Sequence, residues 1–235
     1  MTDYKQRSPR KELLDRNDIP FTDIARNMKE LDFINTYLGG HSITIDGFKE
    51  LLRDRKTISV CEIGCGGGDN LHALFQHCKR KNIEARFTGI DINNECIAYA
   101  KENAKIEKAA FIVSDYRNIE FNTDKPDIIF SSLFCHHFND EELVVMMQWM
   151  MRNSKSGFFI NDLHRHPVAY WFIKGSTQLF SRSYLVKNDA PLSVLRGFKK
   201  KEWGKIFINA GIMNYAIRWK WAFRYLITAQ QRGNT

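Results

Sequence analysis

One short stretch constrains this chain more than any other. After the β-branched run Thr57–Ile63 comes Gly64-Cys65-Gly66-Gly67-Gly68-Asp69-Asn70-Leu71. The run reads as a buried strand, and Asn70–Cys78 has the apolar spacing of a helix. Glycines between a strand and a helix let a ligand approach the backbone closely. Asp91 closes the next predicted strand. A carboxylate at that place can accept both hydrogen bonds of a ribose diol. A nucleoside is therefore expected here, but a dinucleotide is not. Gly64 and Gly66 fill the first two places of G-x-G-x-x-G/A, and the third falls on Asp69. Asp69 and Glu62 would both repel a pyrophosphate. No Gly-Lys-Ser/Thr follows, so a phosphate-binding Walker loop is excluded too.

The rest of the pattern builds around that turn. Apolar residues recur at helical spacing from Ile24 through Leu38, and Gly39-Gly40 ends the run. A short helix is expected over about Asp46 to Asp54, with Phe48, Leu51 and Leu52 on one face. Strands are expected at Thr57–Ile63, Arg86–Ile92, Ala109–Val113, Asp127–Ser132 and Gly157–Leu163. Helices are expected between them, at Asn70–Cys78, Glu95–Lys105 and Asn139–Arg152. Asn139 and Glu142 have the spacing of a capping box. Alternating strands and helices imply a parallel sheet covered on both faces. A helix over Lys199–Ala210, with Gly211 as its cap, precedes two close strands, Tyr215–Trp219 and Phe223–Ala229. These suggest a terminal antiparallel hairpin, with the last strand inside the sheet. The expected organisation is an N-terminal helical cap over residues 1–55 and an α/β core over 56–235. The core carries an aromatic, cap-like insertion at about 164–195.

Of the 235 residues, 43% are hydrophobic and 26% charged, an ordinary balance for a folded domain. The net charge of +8 is uneven. Residues 57–160 hold 11 basic against 14 acidic side chains, and residues 161–235 hold 13 against 3. A uniformly basic nucleic-acid binder is not expected, whereas the basic last third suits an acidic carrier or an anionic surface. No apolar run reaches the roughly 18 residues of a membrane span, and no secretory signal is visible. The odd number of cysteines, 5 without a CxxC pair, suits reduced thiols in the cytoplasm.

The motifs together resemble the class I S-adenosylmethionine-dependent methyltransferases. Glu62, Gly64, Gly66 and Gly68 match the first family motif, E-x-G-x-G-x-G. Thr88–Ile92, ending in Asp91-Ile92, matches the second, and Ser114-Asp115-Tyr116 the third. Pro126–Ser132 matches the fourth. The resemblance implies a Rossmann-like, mostly parallel seven-stranded sheet with helices on both faces and a C-terminal antiparallel hairpin. It implies S-adenosyl-L-methionine as cofactor, with S-adenosyl-L-homocysteine as product. It also implies roles for individual residues. The glycine turn passes beneath the methionine part of the cofactor, and Glu62 reaches its ammonium. Asp91 takes the ribose hydroxyls and Ile92 packs on the adenine. Asp115 accepts from the adenine amino group with Tyr116 beside it, and Ser131 offers backbone near the methionine end.

His136 and His137, after the fourth strand, fall where the family's acceptor meets the methyl group, and either could supply a base. Asp162, Arg165 and His166 follow the fifth strand, where open α/β sheets place ligands. Asp162 could hold an acceptor hydroxyl, and Arg165 or His166 an anionic group. Tyr170 begins an aromatic stretch, Tyr170–Tyr184, expected to close over the cleft together with the N-terminal helices. Arg196 and Lys199–Lys201 are expected outside the acceptor pocket. The histidine spacing matches no zinc pattern, so no metal is expected. The favoured function is methyl transfer to a small O- or C-acceptor of aromatic or polyketide-like type. An RNA or protein methyltransferase, and a non-catalytic cofactor-binding subunit, remain open. Oligomeric state is not readable from these residues.

Overall fold

The computed structural model describes residues 3–16 and 18–231. Two helices, α1 (Phe21–Tyr37) and α2 (Gly40–Leu52), precede the sheet. The core then runs β1 (Thr57–Ile63), α3 (Asp69–Arg80), β2 (Glu84–Asp91), α4 (Asn94–Asn103), β3 (Ala109–Val113), β4 (Ile128–Ser132), α5 (Asp140–Asn153) and β5 (Gly157–Leu163). It finishes with α6 (Pro167–Phe180), α7 (Tyr184–Arg196), α8 (Lys200–Asn209), β6 (Tyr215–Lys220) and β7 (Arg224–Gln230).

The sheet has 7 strands in the order β3-β2-β1-β4-β5-β7-β6. The first five pair in parallel, and β7 is antiparallel to both β5 and β6. β7 therefore sits inside the sheet, as its run of apolar residues requires. Helices cover both faces. Along β5, Phe158 and Ile160 face α5 and α8 with Met146, Met150, Trp203 and Phe207. Phe159 points the other way, toward the layer of Phe48, Leu51, Leu71 and Leu74 from α2 and α3. That alternation is the period of two expected of a strand buried on both faces.

Two expectations need correction. The second helix begins at Gly40 rather than near Asp46. Gly39 turns left-handed, at φ 77°, and serves α2 as its N-cap. The β-branched Ile43-Thr44-Ile45 hides the helical signal, yet Ile43 and Thr44 belong to its buried face. The stretch at 164–195 is two helices, α6 and α7, packed on each other. The capping box of Asn139 and Glu142 forms as read, with reciprocal bonds of 2.9 Å. Gly211, at φ 71°, follows the end of α8.

The order in which strands are added reverses between β1 and β4, since β2 and β3 lie on one side and β4 and β5 on the other. Ligand clefts form outside the carboxyl ends of strands at such a switch point.

Candidate active site

A cleft of about 1510 Å³ opens at that place. Its floor is the turn after β1, through Gly64, Cys65, Gly66 and Gly67. Gly64 and Gly66 hold φ of 67° and 49°, a region costly to residues with a side chain. The Phe134 ring lies against Gly64 and leaves no room for a Cβ there. Gly68 stands outside the cleft as the left-handed N-cap of α3.

Acidic groups converge around the turn. Asp91 lines the cleft and accepts 2.9 Å bonds from the N–H of Gly66 and of Asn93. Burial raises its pKa despite those bonds. Glu62, 1% exposed, lies beneath the turn rather than on the cleft wall. Neither carboxylate oxygen has a partner in full hydrogen-bond geometry, although the Asn70 side chain is near. Burial, then the charges of Asp69 and Asp91, raise its pKa well above the ordinary range, with Asn70 offsetting part of this. An unpartnered carboxylate in acidic surroundings fits a cationic group and repels a phosphate.

Ile92 lines the cleft at 72% exposure. Asp115 lines it too, with its carboxylate held by its own Arg117 at 2.5 Å. Tyr116 borders the cleft, though its ring is buried edge-on against Trp149 and Phe134. Ser131 is wholly buried beside Cys135, and Ser132 and Leu133 border the cleft instead. Leu133 holds φ 52° without being glycine, a strained backbone of the kind that collects at ligand sites.

The roof comes from the N-terminal segment. Met28 of α1 stands over Gly66 and Gly67. Asn35 and His41 each bond the Asp69 carboxylate at 2.9 Å, which ties α1 and α2 to the start of α3. The polar segment before α1 crosses the far end of the cleft. There Arg7 donates to the carbonyls of His136 and Phe138, at 3.3 and 2.6 Å.

At that end the structure gathers side chains that lie far apart in sequence. The His136 Nδ1 is 2.8 Å from Asp162, and its Nε2 is 3.4 Å from Glu12. Burial alone would lower the His136 pKa, but the two carboxylates outweigh it and raise it to about 9. His136 is 2% exposed, with Nδ1 held by Asp162 and Nε2 facing the Glu12 carboxylate. His137 lines the cleft with its side chain 22% exposed. Its Nε2 is 3.8 Å from Glu12, and its Nδ1 is 3.1 Å from Asp15. That second contact is off the angle of a hydrogen bond.

The residues expected to meet an acceptor after β5 turn away from the cleft. Asp162 is fully buried and bonded to His136. Arg165, 1% exposed, is spent on Glu202 and on the carbonyls of Tyr4, Lys5 and Gly197. His166 caps α6, accepting from the N–H of Val168. Tyr170 packs on Tyr4. The aromatic face of α6 points outward, with Trp171 and Phe180 at 59% and 83% exposure. Arg196, expected outside, lines the cleft and donates to the His136 carbonyl at 3.0 Å. Glu12, Asp15, Arg7 and Met28 were not legible as site residues, because nothing local to them signals which loop they cross.

The model of a methyltransferase domain family matches residues 54–211. The chain belongs to that family. It is 29% identical over 124 residues to the mitochondrial ubiquinone biosynthesis O-methyltransferase of Saccharomyces cerevisiae. The match spans 52% of this chain and 38% of the yeast protein. It is also 29% identical over 154 residues to a putative protein N5-glutamine methyltransferase of Methanocaldococcus jannaschii, covering 63% of this chain and 74% of that one. Among solved structures, the plantazolicin methyltransferase BpumL in complex with SAH superposes with a TM-score of 0.66. Their identity is 18%, with 90% of this chain and 89% of that one covered. The fold is thus the Rossmann-like methyltransferase fold, and the family's cofactor is S-adenosylmethionine. The unpartnered Glu62 and the acidic cleft fit that cation.

Proposed function

We propose that the methyltransferase acts on a small molecule, at an oxygen or carbon of an aromatic or polyketide-like acceptor. The size and closure of the cleft support this reading most directly. Ligand pockets usually measure about 300–1,000 Å³, so 1510 Å³ leaves room for an acceptor beside the cofactor. The N-terminal segment roofs that space with Leu14, Ile19 and Leu31, which suits a compact apolar ring rather than a polymer.

When bound, S-adenosylmethionine supplies a methyl group already activated by a sulfonium. Glu62 would hold its ammonium, Asp91 its ribose, and Ile92, Asp115 and Tyr116 its adenine. The glycine turn would run under its methionine end. This chain then has two tasks. It must hold the acceptor in line with the methyl group, where orientation supplies much of the rate. It must also receive a proton if the acceptor is a phenol or an acidic carbon. His137 faces the cleft and is the group placed to take that proton. His136, held by Asp162 and Glu12, positions the loop that carries it. The roof excludes water from the transfer. We also place the protein in a reducing compartment such as the cytoplasm, because all its cysteines are unpaired and buried.

A transfer assay with methyl-labelled cofactor against small phenols, RNA and protein tests the acceptor class. Label is expected in the small-molecule fraction. Label confined to RNA or protein would overturn the acceptor reading. Cofactor binding without any transfer would favour a non-catalytic subunit.

A further inference from the structure

The cluster at the far end of the cleft has a second arrangement in it. His136 turns one ring nitrogen to Asp162, and His137 turns one to Asp15. Each aims the remaining nitrogen, Nε2, at the single carboxylate of Glu12, at 3.4 and 3.8 Å. Those separations are long for hydrogen bonds. In a tetrahedral site with bonds near 2.1 Å, neighbouring ligand atoms stand about 3.4 Å apart. One donor atom from each of the three residues lies within 4.8 Å of the others. A carboxylate hydrogen-bonded behind an imidazole fixes which nitrogen is free for a metal. Asp162 does this for His136, and Asp15 stands 3.1 Å behind His137. Ser193 likewise donates to Glu12 at 2.7 Å.

We propose that Glu12, His136 and His137 bind one divalent transition-metal ion of the zinc class. Two imidazoles and a carboxylate suit zinc, and leave a fourth position open. His137 borders the cleft, so that position faces the acceptor. The charge suits a dication as well. Glu12, Asp15 and Asp162 bring three carboxylates, against the guanidinium groups of Arg7 and Arg196 at the His136 carbonyl. The ligand of the open position would be an acceptor oxygen, whose proton a bound cation makes easier to lose. With metal bound, His137 is a ligand rather than a base, and the proton leaves to solvent. That role rests on the methyl-transfer reading, but the site itself does not.

The test uses untagged, full-length protein with Co²⁺ as a spectroscopic probe and Zn²⁺ counted by elemental analysis. One ion per chain is expected, with the strong visible bands of a four- or five-coordinate cobalt site. His137→Ala and Glu12→Gln should lose the spectrum. Asp15→Asn should weaken Co²⁺ binding roughly 10-fold by the usual effect of a supporting carboxylate. The described residues hold one other such cluster, Asp32, His41 and Asp69, so His41→Ala is the control and should keep the spectrum. Circular dichroism checks the fold of every variant. If Glu12→Gln does not fold, the half-buried His137→Ala decides alone. A folded wild type without cobalt bands, bands that survive His137→Ala, or bands lost in His41→Ala would each overturn the site. Calorimetry with S-adenosylhomocysteine on the same samples tests the cofactor site separately, so the two readings fail independently.

Discussion

The carboxylate of Glu62 costs the folded chain free energy that a bound cation would offset. Its pKa is raised by burial and by Asp69 and Asp91. A raised carboxyl favours folding at low pH, fully below the ordinary carboxylate range, and that contribution disappears as pH rises through the raised value. Glu62→Gln should therefore raise the melting temperature of the cofactor-free protein at neutral pH. It should weaken S-adenosylhomocysteine binding by about 1.5–3 kcal/mol, the worth of a hydrogen bond to a charged group. Calorimetry in two buffers of different ionisation enthalpy should show proton release on binding, absent in the variant. An unchanged affinity would remove Glu62 from the site. Gly64→Ala is a second check at this scale. It puts a side chain at φ 67° and against Phe134. A loss of about 1–2 kcal/mol is expected from the backbone alone, read as a lower urea midpoint, together with lost cofactor binding.

Helix α1 acts on the cofactor turn through very few bonds. Asn35 holds Asp69 and also accepts from Arg224 at 2.9 Å, so one amide joins the roof to α3 and β7. Asn35→Ala should loosen α1, seen as faster hydrogen exchange in residues 21–37, and should weaken cofactor binding. Normal exchange with normal binding would show that the roof is held elsewhere. Strands β1, β3 and β5 were legible to the residue because apolar runs meet glycine, aspartate or a loop at both ends. The glycine turn was legible because its chemistry is contiguous. The aromatic residues of helix α6 carry no mark of direction in the sequence, and Trp171, Phe172 and Phe180 face outward rather than into the pocket. Glu12 and His136 could not be paired from sequence, because their meeting depends on a loop crossing the whole cleft mouth.

Across the molecule, basic residues such as Arg7 and Arg196 line the cleft, but one run of positive charge lies apart from it. Lys199, Lys200 and Lys201 are exposed at the start of α8 and do not line the cleft. Reversing all three to glutamate should leave turnover of a free small acceptor nearly intact at any ionic strength. If the acceptor arrives on an acidic carrier, the same change should raise KM, and added salt should mimic it in the wild type. A salt-independent loss of activity would remove the steering role. The position of β7 has a further consequence, for the order in which the chain can fold. Its partner β5 ends at Leu163 and β7 begins at Arg224, about 60 residues later. At roughly 5–20 residues per second, a ribosome needs about 3–12 seconds to supply the missing strand. Throughout that interval one edge of β5, with Phe158 to Ile160 in the middle of it, has no backbone partner. A nascent chain halted before Arg224 is therefore expected to be a chaperone client, and the same fragment made alone should be insoluble.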